Sequence, residues 1–373
     1  MATSDTDLTC SRHGTPTRLR CAECGTPICT ECLVRTPVGM KCPEHAQADQ
    51  IVRTVRRRSP KAVLLAMVGV VAVVGGLVAL LAVVGGRESA DTVGQAGPGA
   101  PSPDRIQTPQ VAVMAADGGD KQLLTNRALA FDGSPSWSPD GTRIAFESLL
   151  DGRRSIWVMQ ADGQGLRRLT DGTGTDSAPS WSPDGNRIAF MSDRDGNSEI
   201  YVMNGDGTSP RRLTDLPGQD GFPSWSRDGN RLAFISDRGG AFQLWTMAAD
   251  GTGPTRVSDA TAVQERPSYT RDGRIVFTSD RDGNPEIYVI GADGAGPARL
   301  TDNLASDGEA AVSPDGTTIA FASDRDGSAA VYTMALDGTG LRKLTTGPRG
   351  FTPAWSPDGR RIAYISDAGP PGG

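Results

Sequence analysis

Cysteine and histidine are missing from most of this chain of 373 residues. All six cysteines lie between Cys10 and Cys42, and the two histidines are His13 and His45. Beyond position 45 the sequence therefore has no side chain for a Ser-His-Asp or a Cys-His mechanism, and no histidine to bind a catalytic metal. Enzymes of those classes are excluded for that part of the chain.

Large apolar side chains and basic charge are also scarce. Hydrophobic residues make up 37% of the chain and aromatic residues 5%, whereas glycine and proline number 47 and 26. This composition favours many short strands joined by turns. The net charge is −6; residues 1–61 hold ten Lys/Arg and six Asp/Glu, so the remainder carries −10. No basic face for nucleic acid is expected.

One pentapeptide recurs six times at a regular spacing. Its copies are WSPDG at 137–141, 181–185 and 355–359, WSRDG at 225–229, YTRDG at 269–273 and VSPDG at 312–316. Successive copies begin 44, 44, 44, 43 and 43 residues apart. A period of this length with strand-like content is typical of a β-propeller with one four-stranded blade per repeat.

A single repeat, residues 179–214, contains four strand-like segments. They are PSWS, RIAFMS, EIYVMN and RRLT, separated by SPDG, DRDG and NGDG. Pro, Asp and Gly each suit one position of a tight turn. We therefore expect WSPDG to end an innermost strand, with its Trp packed between neighbouring blades. DRDGN lacks the continuation of an EF-hand loop and is interpreted as a turn.

The two ends of the repeat region complete each other. The last copy stops after two strands, FTPAWSPDGRRIAYISDAG, and the missing two match VAVMAADGGDKQLLT at 111–125. Pairing both chain ends in one blade removes the open edge of a sheet. The predicted fold is mainly β, a six-bladed β-propeller over residues 111–373 whose sixth blade is mixed.

Residues 106–373 resemble the WD40-like PD40 repeats of TolB-type six-bladed propellers. The six pentapeptides and the SDRDG and MxxDG elements carry the resemblance. It implies the propeller fold and, for function, a scaffold, a sensor or an accessory domain, because this fold serves many functions.

Residues 62–84 form an apolar segment without a charged side chain. As a helix it would be about 35 Å long, enough for a hydrocarbon core of roughly 30 Å, and one transmembrane helix is predicted there. The basic segment at 51–61 places the N-terminus in the cytoplasm and the propeller outside the plasma membrane. Residues 85–110, rich in Gly, Pro, Ser and Ala, are interpreted as a flexible linker.

The cysteines and histidines form four pairs with two residues between the members of each. The pairs are Cys10 with His13, Cys21 with Cys24, Cys29 with Cys32, and Cys42 with His45. Eight such ligands fill two closed, structural zinc sites, and a reducing cytoplasm disfavours disulfides. Cross-bracing of the first pair with the third and of the second with the fourth is preferred; sequential pairing is the alternative.

Residues 10–45, within a predicted domain at 1–50, resemble a B-box-type zinc finger. So short a segment with few large apolar residues needs metal to fold. The resemblance fits a module that binds a protein partner.

An acidic position recurs five residues before each pentapeptide. Its occupants are Asp132, Asp176, Asp220, Gln264, Asp307 and Gly350, with Arg349 before the last. SDR tripeptides recur nearby and contain Asp193 and Arg194, Asp237 and Arg238, Asp280 and Arg281, and Asp324 and Arg325. Either these Asp and Arg residues pair as part of the fold, or the acidic ring binds a cation, a basic peptide or a glycan at the pore. The irregular residues Gln264, Glu265, Arg266, Glu309 and Arg349 are the candidates for specificity.

The predicted protein crosses the membrane once and is not an enzyme. Its propeller binds a protein, peptide or glycan outside, and its finger recruits a protein inside. The alternative from a different class is a surface-anchored carbohydrate-active propeller, glycosidase-like or lyase-like, that uses paired Asp residues. An architectural role in an envelope complex overlaps the first hypothesis.

Overall fold

The computed structural model describes residues 8–9, 16–17, 34–36, 39–41, 108–127, 130–150, 152–258 and 264–367. All elements in these ranges are β-strands. No helix of the described residues is long and apolar enough to cross a membrane. The predicted transmembrane helix at 62–84, the basic segment at 51–61 and residues 85–107 of the predicted linker lie outside the described residues.

The chain divides into two units, Met1–Val63 and Leu64–Gly373. In the first unit, β1 (Leu8–Thr9) pairs with β2 (Pro16–Thr17), and β3 (Val34–Thr36) pairs with β4 (Gly39–Lys41), both antiparallel.

The predicted zinc ligands fall between or directly after these short strands and outside the residues that the structure describes. They are Cys10, His13, Cys21, Cys24, Cys29, Cys32, Cys42 and His45. The two metal sites and the pairing of their ligands therefore stay predictions.

The described part of the second unit consists of six four-stranded antiparallel sheets, as predicted, which we number as blades 1 to 6 in the order of their innermost strands. The innermost strands are β7 (Phe131–Trp137), β11 (Asp176–Trp181), β15 (Asp220–Trp225), β19 (Gln264–Tyr269), β23 (Asp307–Val312) and β27 (Gly350–Trp355). The second strands are β8 (Arg143–Leu150), β12 (Arg187–Ser192), β16 (Arg231–Ser236), β20 (Arg274–Ser279), β24 (Thr318–Ser323) and β28 (Arg361–Ser366). The third strands are β9 (Arg153–Gln160), β13 (Glu199–Asn204), β17 (Gln243–Ala248), β21 (Glu286–Gly291), β25 (Ala330–Ala335) and β5 (Gln110–Ala115). The outermost strands are β10 (Arg167–Arg168), β14 (Arg211–Arg212), β18 (Thr255–Arg256), β22 (Ala298–Arg299), β26 (Arg342–Lys343) and β6 (Gln122–Leu123).

The sixth blade joins the two ends of the propeller chain. Its strand order is β27-β28-β5-β6. In the pairing of β28 with β5, Ala363 lies opposite Val113 and Ile365 opposite Val111. The predicted mixed blade is therefore confirmed, and the ring of blades is closed by backbone hydrogen bonds.

The hydrophobic core lies between neighbouring blades. One cluster joins Ala145 and Ile156 of blade 1 to Trp181, Phe190 and Tyr201 of blade 2, all buried. Equivalent clusters follow around the ring. The pentapeptide Trp thus packs against the preceding blade, as predicted, because the end of each innermost strand faces that blade.

Each pentapeptide forms a tight turn stabilised by its own side chains. Ser182 Oγ donates a hydrogen bond of 2.5 Å to Asp184 Oδ1, which also accepts one of 3.0 Å from Asn186 N. Gly185 follows with a φ of +72°, where a side chain would be strained. The turn chemistry predicted from the sequence is confirmed.

Candidate functional site

The six innermost strands surround a central channel. We call the face where these strands begin the start face, and the face that carries the pentapeptide turns the turn face. Each innermost strand has a β-bulge, seen as a shift in its pairing with the second strand. The residue two positions after the recurring acidic position has a φ between +45° and +57° in every blade. These six residues, the channel ring, all line the channel: Ser134, Ala178, Phe222, Arg266, Glu309 and Thr352.

The backbone strain of the channel ring belongs to the fold. A positive φ is unfavourable for residues other than glycine, and five of the six precede proline, which normally requires an extended conformation. The same bulge occurs where the ring residue is Ser134 or Ala178, so no special chemistry requires it. A bulge re-aims a side chain, and here it directs six different side chains at the channel.

Arg266 is the centre of a network across the channel ring. Its Nη2 donates a hydrogen bond of 3.3 Å to Ser134 Oγ, and its Nε lies 3.7 Å from Glu309 Oε1. Its guanidinium carbon is 4.9 Å from the centre of the Phe222 ring, within cation–π range. Glu309 Oε2 accepts a hydrogen bond of 2.7 Å from Thr352 N. Five of the six ring residues are thereby linked.

Four carboxylates at the start face are buried, and each is paired with an arginine. The pairs, with their N–O distances, are Arg127–Asp132 at 2.8 Å, Arg194–Asp176 at 2.9 Å, Arg238–Asp220 at 2.5 Å and Arg325–Asp307 at 2.7 Å. Pairing as part of the fold, the first of the two interpretations, accounts for this geometry. The other oxygen of each carboxylate has no hydrogen-bond partner among the described residues. A ligand role for these four residues stays a prediction.

In blade 4, Gln264 replaces the aspartate and makes a different bond. In five of the blades a threonine hydroxyl accepts a hydrogen bond from a backbone N–H of the third strand, as Thr214 Oγ1 does from Ile200 N at 2.9 Å. In blade 3 the serine Ser258 stands at that place, and Leu244 N donates instead to Gln264 Oε1 at 2.9 Å. Gln264 Nε2 then donates to Ser258 Oγ at 2.8 Å. The glutamine therefore supplies an acceptor that the other blades obtain from threonine.

Because Gln264 has no charge, Arg281 has no carboxylate partner among the described residues, unlike Arg194, Arg238 and Arg325. Its Nε donates to Ser279 Oγ at 3.2 Å and its guanidinium carbon lies 4.5 Å from the Tyr288 ring centre. Its Nη2 is buried without a hydrogen-bond partner among the described residues. Blade 4 therefore differs from the repeat at the start face as well as at the channel ring.

Arg349 marks the start of blade 6, where Gly350 replaces the aspartate. Its Nε donates to Asp367 Oδ2 at 2.5 Å and its backbone N to Asp367 Oδ1 at 2.6 Å. The structure thus places the predicted ligand-binding residues one to a blade, each with a partner: Asp132, Asp176, Asp220, Gln264, Asp307 and Arg349. Among the described residues, no group of three or more His, Cys, Asp or Glu is arranged to hold a metal.

Glu265 is a partly buried carboxyl beside the channel ring. Burial raises the pKa of Glu265 to about 7, and the charges of Glu309 and Asp280 add to the rise while Arg266 opposes it. A carboxyl with such a pKa changes its charge near neutral pH, a behaviour that is common in functional sites.

Two arginines at the turn face did not emerge from the sequence reasoning. Arg227 and Arg271 replace the proline of the pentapeptide in blades 3 and 4. Arg227 Nη2 donates to the carbonyl oxygens of Pro314 and Ser313, the latter at 3.4 Å, two blades away across the channel mouth. The signal for them is the Arg in WSRDG and YTRDG where four copies have Pro. Phe222 was also missed, because a phenylalanine in a strand carries no such signal.

Comparison with known families agrees with the two modules. A model of the TolB beta propeller domain, PD40, matches residues 104–277 and 264–370. A B-box zinc finger model matches residues 5–36. That match includes the first three predicted ligand pairs, from Cys10 to Cys32, and leaves Cys42 and His45 outside. No curated protein matches the chain.

Solved structures share the propeller fold. TolB from Agrobacterium tumefaciens is 24% identical with a TM-score of 0.62, covering 69% of this chain and 98% of that one. TolB from Acinetobacter baumannii is 20% identical with a TM-score of 0.53, covering 71% and 65%. Hydrazine synthase from Kuenenia stuttgartiensis is 15% identical with a TM-score of 0.54, covering 71% and 47%. At these identities the likeness extends to the fold alone.

Proposed function

The chain belongs to the TolB β-propeller family, and from this premise we propose that it is a single-pass membrane protein whose propeller binds a ligand outside the cytoplasm. Its B-box-type finger, holding two zinc ions, recruits a protein partner on the cytoplasmic side. The apolar run at 62–84 and the basic residues before it support this topology. Confinement of every cysteine to the first 42 residues supports it as well, because thiols stay reduced in the cytoplasm.

The observation that supports a binding role is the composition of the channel ring. Residues that a repeat fold needs recur in every repeat, and Phe222, Arg266 and Glu309 do not recur. A guanidinium has five N–H donors, yet within the described part of the chain Arg266 makes one hydrogen bond, to Ser134. Arg266 lines the channel, where a ligand can contact several blades at once.

A second candidate function is carbohydrate-active catalysis, and one residue favours it. The four start-face aspartates are each engaged with an arginine. Burial raises the pKa of Asp132 above its ordinary value, and it raises the pKa of Glu265 to about 7. A group with that pKa is suited to proton transfer at neutral pH. Turnover of oligosaccharides by the full-length chain, abolished in Glu265→Gln, would favour this enzyme over the binding module. Lack of turnover on neutral and uronate oligosaccharides is expected.

Thiol labelling of intact cells tests the topology. The native cysteines all precede the apolar run, and Lys121→Cys adds one at an exposed site on the propeller. A membrane-impermeant maleimide should label the thiol introduced at position 121 in intact cells. It should label the native cysteines only after lysis and chelation of zinc. Labelling of the native cysteines in intact cells would reverse the orientation and refute the proposal.

Metal analysis of the full-length chain tests the finger. Two zinc ions per chain are expected, with six thiols that become reactive on chelation. Paired substitutions identify the ligand sets: Cys10→Ser and Cys29→Ser would remove one zinc together if the finger is cross-braced. In sequential pairing, these two substitutions together would remove both ions.

A further inference from the structure

The channel between its ring and the turn face is a ligand-sized cavity. It encloses about 340 Å³ and is lined by residues of all six innermost strands. Small-molecule sites begin at roughly this volume. Much of its wall is proline: Pro135, Pro179, Pro223, Pro267 and Pro353 from the strands, with Pro314 and Pro357 from the turns. Proline has no N–H group, so these residues offer apolar ring surface, while Ser136, Ser180 and Ser224 add hydroxyl groups to the lining.

The floor of this cavity carries an arginine and a carboxylate, Arg266 and Glu309. Arg266 lies there with 14% of its side chain exposed, and its Nε is buried without a hydrogen-bond partner among the described residues. Glu309 forms an ion pair with it, although the 3.7 Å between Arg266 Nε and Glu309 Oε1 is too long for a hydrogen bond. A ligand in the cavity would therefore bond the Nη groups of Arg266, one of which already donates to Ser134.

The mouth of the cavity carries a second arginine, Arg227. In most blades the turn proline packs on the glycine of the next turn: a Cβ on Gly185 would lie 3.1 Å from Pro139 Cγ. Gly273 is the glycine of the turn that comes after the turn of Arg227, and a Cβ built on it would meet nothing within 4 Å. Arg227 instead extends across the mouth to the carbonyl oxygens of blade 5.

The electrostatics of the mouth favour an anion. Burial lowers the pKa of Arg227 and the neighbouring charge of Arg271 lowers it further, while the charge of Asp315 opposes both without fully offsetting them. Arg227 has only neutral carbonyl acceptors in its described contacts. An anion would replace them with a stronger, charge-assisted bond and would relieve the repulsion between the two arginines.

We propose that the turn-face half of the channel binds a small organic dicarboxylate, one carboxylate at Arg266 and the other at Arg227. Guanidinium groups match the planar carboxylate in a bidentate manner. The apolar proline walls suit a carbon chain between two charged ends, and Glu309 beside the floor repels a phosphate, with its higher charge, more than a carboxylate. This deepens the binding role proposed for the propeller and does not depend on its membrane topology.

Titration calorimetry of the full-length chain with linear dicarboxylates tests the proposal. Succinate, adipate and suberate form a series of increasing length, and hexanoate supplies a single carboxylate. One member of the series should bind at least about tenfold more tightly than hexanoate and inorganic phosphate. The preferred length reports the separation of the two guanidinium groups. Failure of all three to bind, or equal binding of phosphate, would overturn the site.

The repeats provide variants that should preserve the fold. Arg227→Pro restores the pentapeptide of blades 1, 2 and 6, and Arg266→Ser introduces the ring residue of blade 1. Each should weaken the preferred dicarboxylate about tenfold or more, the usual effect of losing a charged hydrogen bond. Arg211→Ala, which removes the same charge from an outermost strand, should leave the affinity unchanged.

Near-UV circular dichroism verifies that each variant is folded. If Arg266→Ser does not fold, the affinity of Arg227→Pro alone tests the site. Unchanged affinity in a folded Arg227→Pro would refute the mouth contact. The topology test is independent: absence of dicarboxylate binding with the expected thiol labelling refutes the pocket alone. Reversed labelling with intact binding refutes the topology alone.

Discussion

Arg266 Nη2 and Ser134 Oγ form a hydrogen bond of 3.3 Å although their blades lie opposite each other in the ring. Blades 1 and 4 share no strand pairing in the described part of the chain, so side chains alone make this link. The bond requires the innermost strands to point both side chains at the axis, which the bulge at the channel ring achieves. Arg266 therefore spans the channel and separates its start-face half from its turn-face half.

The first prediction compares two arginines at equivalent positions. Arg194 pairs with the fully buried Asp176 at 2.9 Å, whereas Arg281 has no carboxylate partner among the described residues. Both stack on a tyrosine, with guanidinium-to-ring distances of 5.0 and 4.5 Å. We expect Arg194→Met to lower the free energy of unfolding by about 3–5 kcal/mol, because it leaves a buried charge unpaired.

Arg281→Met is the matched control and should lower that free energy by less than about 1 kcal/mol, since no charge is left behind. Chemical denaturation of both variants measures the difference. Similar losses in the two would mean that tyrosine stacking, and not the ion pair, stabilises the start face.

The second prediction concerns the exchange between Gln264 and Ser258. Gln264→Asp alone removes the acceptor of Leu244 N and should cost about 1–3 kcal/mol, the penalty for an unsatisfied buried donor. Adding Ser258→Thr supplies the hydroxyl that the other third strands use, while the new aspartate gains Arg281 as a partner. A double-mutant cycle should therefore give a favourable coupling of at least about 1 kcal/mol. Additive effects would show that the two positions act independently.

Blade number, closure and Trp packing could be predicted from the sequence because they follow from local and periodic patterns. The pentapeptide marks where each innermost strand turns, and its spacing counts the blades. The strand-like ends at 111–125 and 350–366 are each half a blade, so closure follows from the need to pair an open edge. The innermost strands begin earlier than the predicted PSWS segment, because residues on both sides of the bulge stay paired. Five begin at the recurring position itself, and β7 begins one residue before it.

The channel contacts could not be predicted because they join residues far apart in the chain. Arg266 was recognised as irregular, but its contact with Ser134 exists only after all six blades close. The positive φ of the channel ring also contradicts the local expectation for a residue before proline, since tertiary pairing overrides it. The replacement of a threonine hydroxyl by Gln264 likewise becomes visible only when blades 3 and 4 are side by side.

The third prediction is a pH-dependent gain of stability in Glu265→Gln. Burial raises the pKa of Glu265 from its ordinary 4.5 to about 7, with Glu309 and Asp280 adding to the rise and Arg266 opposing it. The folded state therefore binds the proton more tightly than the unfolded state does. Ionisation opposes folding increasingly between pH 4.5 and about 7, and fully above that range.

Glu265→Gln should consequently raise the free energy of unfolding at about pH 8, on the order of 2 kcal/mol, and change it little at about pH 4.5. Denaturation at the two pH values measures this difference. Asp302→Asn, at a side chain that is 86% exposed, is the control and should show no such pH dependence. An equal effect of Glu265→Gln at both pH values would contradict the raised pKa.

The fourth prediction concerns the strands that close the ring. β5 pairs with β28 along six residues of each, and Val111 and Met114 on β5 are fully buried. Removing residues 1–127 deletes β5 and β6, so β28 becomes an open edge and the apolar surface between blades 6 and 1 is exposed. We expect this shortened chain to aggregate. The control is removal of residues 1–104, which keeps all twenty-four propeller strands and should leave a soluble, cooperatively folding domain. Size-exclusion chromatography and thermal unfolding of the two shortened chains measure the effect. A folded monomer lacking residues 1–127 would show that the five remaining complete blades are stable without closure of the ring.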